Sequence, residues 1–164
     1  MTKRVVLYVC AALTGIISAY ILSGVFMIAQ ADGSGMEPEL RDGSIVLINK
    51  LAYDEDGEVP RTGNVIAFKS DVYGEEGEGR ILIRRVAGGP GDTVEISDNI
   101  FYLNDRPYTE HMSEASQMCT FSRTTLGDNE IFVLSDNRKS SMDSRNEAIG
   151  ILKISDCIGK VCFH

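Results

Sequence analysis

The stretch Asp32-Gly33-Ser34-Gly35-Met36-Glu37-Pro38-Glu39-Leu40 decides how the chain is read. It emerges from an apolar run and leads into Ser44-Ile45-Val46-Leu47-Ile48, a strand-like segment. It belongs with two other stretches, Arg84-Arg85-Val86-Ala87-Gly88-Gly89-Pro90-Gly91-Asp92 and Ser135-Asp136-Asn137-Arg138-Lys139-Ser140-Ser141-Met142-Asp143-Ser144-Arg145.

Upstream, Lys3 and Arg4 precede 25 residues without a charge, Val5 to Ala29. A bilayer core of roughly 30 Å needs about 20 apolar residues, whereas the apolar part of a cleavable signal runs to about 7–15. The run therefore predicts a permanent transmembrane helix over residues 5–29. Residues 1–4 are then cytoplasmic and residues 32–164 extracytoplasmic, because basic residues beside a first helix set its orientation. Ala29-Gln30-Ala31 also has the small-residue form of a cleavage site, which keeps a removable signal as the rival.

Downstream, short apolar or alternating runs predict a mainly β domain: Ile45 to Ile48, Asn64 to Phe68, Ile81 to Ile83, Thr93 to Ile96, Ile100 to Leu103, Glu130 to Leu134 and Ile158 to Phe163. Ser97-Asp98-Asn99 between two of these runs predicts a hairpin. Tyr53 to Gly63 and Ser70 to Gly79 are acidic and glycine-rich, which predicts exposed loops. Glu110 to Arg123 is expected to be an irregular connection. At 164 residues there is room for one anchor and one folded domain.

The net charge of -8 disfavours a nucleic-acid partner held through phosphates. No CxxC occurs and His111 stands alone before the terminal His164, so no metal and no cofactor is expected. Of the four cysteines, Cys10 lies in the apolar run. Cys157 and Cys162 are five apart and would face opposite sides of a strand, and a disulfide involving Cys119 stays open.

The three motifs resemble those of the type I signal peptidase family. That family's first motif is Ser-Gly-Ser-Met-x-Pro-Thr-Leu, with the second serine as nucleophile. Met36, Pro38 and Leu40 fix the register, so the resemblance sets Gly35 at the nucleophile position and Gly33 at the serine that helps form the oxyanion hole. Ser34 then matches the intervening glycine, and Glu39 replaces the threonine. The second motif, Lys-Arg-Val-x-Gly-x-Pro-Gly-Asp, sets Arg84 at the general base. The third motif is nearly intact, departing only at Ser135. The resemblance implies that Ser141 supports the base. It also implies that Arg85, Asp143 and Arg145, flanked by Asp136, Asn137 and Arg138, form a charged network beneath the site, a role that needs no catalysis. Gly63-Asn64-Val65-Ile66 and Ile158-Gly159-Lys160-Val161 resemble two of the family's strands, so the likeness covers nearly the whole chain.

A Ser/Lys hydrolase needs a hydroxyl to attack and an amine that burial can neutralise. Gly35 has no hydroxyl, and an arginine stays protonated with a pKa above about 12. Ser34 is the possible substitute, with Lys69 or a water as base. In an extended segment, however, Ser34 would face away from the nucleophile position. The expectation is a membrane-held protein without its dyad that keeps a groove for an extended peptide. Signal-peptidase-like proteins of this kind assist pilus assembly in Gram-positive bacteria. The partners implied are the lipid bilayer through residues 5–29 and an exported preprotein or pilin-like protein. The alternative is an active signal peptidase I that cleaves exported preproteins.

Overall fold

A computed structural model describes residues 2–54, 57–72, 79–111, 118–140 and 142–163. The parts of the acidic loops at 55–56 and 73–78, the middle of the 110–123 connection, Ser141 and His164 lie outside the described residues.

The chain opens with α1, Thr2–Val25, in which residues 3–24 are exposed. Lys3–Val25 is long and apolar enough to cross a membrane. At 1.5 Å per residue its 23 residues reach about 35 Å, more than a bilayer core. The helix ends four residues short of the expected 29, because Phe26–Gln30 forms strand β1. Two contacts from one residue stop it: the Lys50 backbone N–H donates to the Val25 carbonyl at 2.8 Å, and Lys50 Nζ donates to the Ser23 carbonyl at 2.8 Å. These satisfy carbonyls that the last turn leaves without partners and set a positive charge at the negative end of the helix. The apolar run thus serves two elements.

The next strands are β2 (Ile45–Asn49), β3 (Val65–Ser70) and β4 (Arg80–Gly88). They are followed by β5 (Thr93–Ser97), β6 (Ile100–Leu103), β7 (Arg106–Pro107) and β8 (Phe121–Thr125). The chain closes with β9 (Glu130–Leu134), β10 (Leu152–Lys153) and β11 (Cys157–Phe163). The seven expected runs are all strands. Phe121 to Arg123, expected to be irregular, begins β8, which pairs with β5.

One sheet has the order β1-β2-β11-β3-β4-β9-β10, and a smaller one has the order β7-β6-β5-β8. All pairings are antiparallel. The expected hairpin joins β5 to β6, with Ser97 opposite Ile100 and positive φ at Asp98 and Asn99, the conformation of a type I′ turn. The sheets share a core in which Phe101 stacks on Phe132 at 5.7 Å and Phe121 meets Phe132 edge-on. A second cluster, of Met36, Leu40, Val46, Ile48, Ala67 and Ile83, holds the first motif against the large sheet, with Met27 and Ala29 of β1 packed on it. All four cysteines are free.

Candidate functional site

The segment after β1 is a 3-10 turn, Ser34–Met36, entered through Gly33 at φ 77°. The expected extended conformation is therefore not what places Ser34. In the turn Ser34 is exposed while Gly35 and Met36 are buried. Met36 and Leu40 anchor the turn in the core, and the Leu40 N–H donates to the Met36 carbonyl at 2.8 Å. Pro38 follows a cis peptide bond and is exposed, as are Gly33 and Glu39.

The third motif fastens this turn from the other side. The Asn137 backbone N–H donates to the Gly35 carbonyl at 3.0 Å, and its side-chain Nδ2 donates to the Ser34 carbonyl at 3.1 Å. One asparagine so fixes two successive peptide groups of the first motif.

Arg84 lies on β4 opposite Ile66 and is 3% exposed. Its Nε donates to the Met142 carbonyl at 2.6 Å and its Nη1 to the Ile83 carbonyl at 2.5 Å. A β-carbon built on Gly35 would lie 3.1 Å from Cζ and from both terminal nitrogens of this guanidinium. The residues that the resemblance sets at nucleophile and base are thus packed directly together. Burial pulls the Arg84 guanidinium below its ordinary value, as does the charge of Arg145, while Asp143 and Asp136 act the other way.

Beneath them run two buried ion pairs. Arg85 grips Asp136 through Nε (2.8 Å) and Nη2 (2.7 Å) and donates through Nη1 to the Gly63 carbonyl. Arg145 grips Asp143 through Nε (2.8 Å) and Nη2 (2.7 Å). It also donates to the carbonyls of Arg138 and Ser140, which closes the loop of the third motif. Asp143 further accepts the Ser135 N–H at 2.8 Å. Burial pushes the Asp143 carboxyl up, but Arg145 and the Ser135 N–H outweigh it and hold it below the usual carboxylate range. Desolvation lowers Arg85, and the bonds it donates to Asp136, with that carboxylate's charge, more than reverse this. Arg138 is buried beside them and is pushed down to about 10 by desolvation and then by Arg145.

The Gly89-Pro90-Gly91-Asp92 segment is a turn closed by the Asp92 N–H on the Gly89 carbonyl, with Gly91 at φ 79° as a type II turn requires. Lys69 is remote. It pairs with Ile81 of β4, three residues from Arg84 and so about 10 Å along that strand. Ser141 lies outside the described residues. The clamp from Asn137 to the Ser34 carbonyl had no sequence signal beyond the motif that contains it. Among the described residues no cluster of His, Cys, Asp or Glu has the arrangement of a metal site.

Strands and loops together form an antiparallel β platform that carries a short turn, a facing cationic side chain and a charged support loop. A family model described as signal peptidase, peptidase S26, matches residues 2–164, and the chain belongs to that family. It is 32% identical over 156 residues to signal peptidase I of Bacillus caldolyticus, covering 85% of this chain and 79% of that one. It is 34% identical to signal peptidase I U of Bacillus subtilis, covering 78% and 69% of the two chains, and 31% identical to signal peptidase IB of Staphylococcus aureus, covering 80% and 73%. A crystal structure of a signal peptidase I from Enterococcus faecalis V583 gives a TM-score of 0.49 at 27% identity, covering 64% of this chain and 98% of that one.

Proposed function

We propose that this chain is a catalytically silent member of the signal peptidase family, with the Ser/Lys dyad replaced by Gly35 and Arg84. In this reading α1 holds it in a cell membrane with its N-terminus cytoplasmic, and the β domain binds an extended peptide on the other side. Its partner is an exported preprotein or a pilin-like protein, and its role is that of an assembly factor, as in pilus assembly.

The carrying observation is the contact between Gly35 and Arg84. No hydroxyl stands at residue 35, and the guanidinium packed against it stays protonated, so it cannot accept the proton that an attacking hydroxyl must give up. The relatives are named peptidases, and against the family's motifs this chain departs at Gly35 and Arg84, and also at Gly33, Ser34, Glu39 and Ser135. The two buried ion pairs and the Asn137 clamp support a groove that keeps its shape without chemistry. The edge strands of the large sheet, β1 and β10, are the kind of main-chain surface to which an extended peptide adds.

A serine-reactive phosphonate probe tests this on the full-length protein. No labelling is expected, because the cation packed on the motif is Arg84, which stays protonated and cannot activate a hydroxyl. Labelling at Ser34 would show a rescued active site and overturn the proposal.

A further inference from the structure

Ala29-Gln30-Ala31 has the small-residue form after which a signal is cut, and the function proposed for this chain leaves that motif unused. The apolar helix stops at Val25, and Phe26–Gln30 then runs extended up to the Ala31–Asp32 bond. An extended segment is the form in which a groove takes a peptide.

In the folded domain the same segment is shut. Strand β1 lies at the edge of the large sheet, with Ala29 opposite Val46 and Gln30 opposite Ile45 of β2. Beyond the strand, residues 41–44 seal the bond itself. The Ala31 N–H donates to the Ser44 carbonyl at 2.8 Å, and the Ala31 carbonyl, the group a peptidase would attack, accepts the Gly43 N–H at 2.9 Å. On either side, Gln30 Nε2 donates to the Gly43 carbonyl at 3.2 Å and the Gly33 N–H to Asp42 Oδ1 at 2.8 Å. Ala31 is 5% exposed, and Ala29 packs on the Met36 and Leu40 cluster. Both small side chains that a peptidase would read are therefore turned into the domain. A strand paired along one side only is nonetheless the kind of element that opens locally before the core strands do.

We infer that Ala31–Asp32 is a processing site gated by the fold: an active signal peptidase cuts it while β1 is undocked, and docking of β1 on β2 and the 41–44 turn keeps the anchor attached. Water adds across the peptide bond, leaving a carboxylate on Ala31 and an ammonium on Asp32. The helix and β1 then part from the domain, which is released without its edge strand. The cutting enzyme is a separate serine hydrolase of this family, a point that rests on the catalytic silence proposed for this chain. Small residues at 29 and 31 thus serve two demands, packing in the folded chain and recognition in the unfolded one.

The experiment incubates the full-length protein in detergent micelles with an active signal peptidase I and follows the products by intact-mass spectrometry. Ile48 is 0% exposed, lies opposite Met27 of β1 and belongs to the cluster on which β1 packs. Ile48→Asp buries a carboxylate there and undocks β1, so loss of the fold is the purpose of this variant. It should be cut between Ala31 and Asp32 at least about tenfold faster than the unmodified chain, because cleavage follows the population of the open form. Adding Ala31→Phe to Ile48→Asp should stop that cut, since a bulky residue then replaces a small one. Gly43→Val forces a β-branched residue to φ 81° in the sealing turn and should give a rate between the two. Equally fast cutting of the unmodified chain and Ile48→Asp overturns the gate. No cut after Ala31 in Ile48→Asp overturns the site, and both results leave catalytic silence intact. A cut after Ala31 with no peptidase added supports the site and overturns the silent function itself.

Discussion

The guanidinium of Arg84 occupies the space in which a side chain on residue 35 would begin, 3.1 Å from the position of its β-carbon. Arg84 cannot simply swing away, since Met142 and Ile83 hold its Nε and Nη1. Gly35→Ser alone should therefore cost about 1–3 kcal/mol by overpacking. Adding Arg84→Lys, an unbranched and slimmer side chain, should recover most of that loss. Urea denaturation of the two single variants and the double variant checks this through a mutant cycle. Additive losses would mean that the two residues do not compete for the same space.

The Arg145 and Asp143 pair is buried, with the side chains 5% and 0% exposed. Removing one partner strands the other charge, so Asp143→Asn should cost about 3–5 kcal/mol at neutral pH. The folded carboxyl lies below its unfolded value of about 3.9, so its contribution is present above that pH and lost as pH falls through the lower, folded value. Stability measured against pH should therefore drop on the acid side in the unmodified protein, and this part of the drop should vanish in Asp143→Asn. Parallel pH curves for the two would contradict the assignment.

Because α1 ends at Val25, the apolar helix gives way to the β structure there and not at residue 29. A chain that starts at Phe26 should unfold cooperatively. One that starts at Ala31 lacks β1, including Met27 and Ala29 on the Met36 and Leu40 cluster, and should lose at least about 2 kcal/mol. Thermal unfolding of the two truncations followed by circular dichroism separates these outcomes. Equal stability would return Phe26–Ala29 to the membrane.

Cys157 pairs within the sheet opposite Phe68, and burial pushes its thiol up to about 12. Cys119 is exposed. Since the thiolate is the reactive form, a maleimide at pH 8 should modify Cys119 readily and Cys157 slowly. Peptide mapping over time reads both rates, and equally rapid labelling of Cys157 would contradict its placement.

Much of this was legible in the sequence because strands of five or so residues announce themselves by period and by β-branched content. Asp98-Asn99 announced a hairpin through the residues that tolerate positive φ. What stayed hidden depended on partners distant in sequence. Phe26–Ala29 is as apolar as the helix before it, and only pairing with β2 and the Lys50 contacts decide that it is a strand. Phe121–Thr125 lies in a polar connection and becomes a strand through β5. The motifs located the site residues, but the alternation of an extended chain gave the wrong reason for the placement of Ser34, which a 3-10 turn determines. The nearness of Arg84 and Gly35 followed only from the resemblance, which sets them at base and nucleophile, since no local pattern in either segment records a close approach between elements.

Cleavage of a membrane-presented preprotein by the purified full-length chain tests the central claim most directly, run beside the double variant Gly35→Ser with Arg84→Lys. On the proposed reading the unmodified chain should leave the preprotein intact while the double variant cuts it, since Gly35 and Arg84 stand where the resemblance sets the reacting groups. Cleavage by the unmodified chain would contradict the account and make Ser34 the next residue to replace.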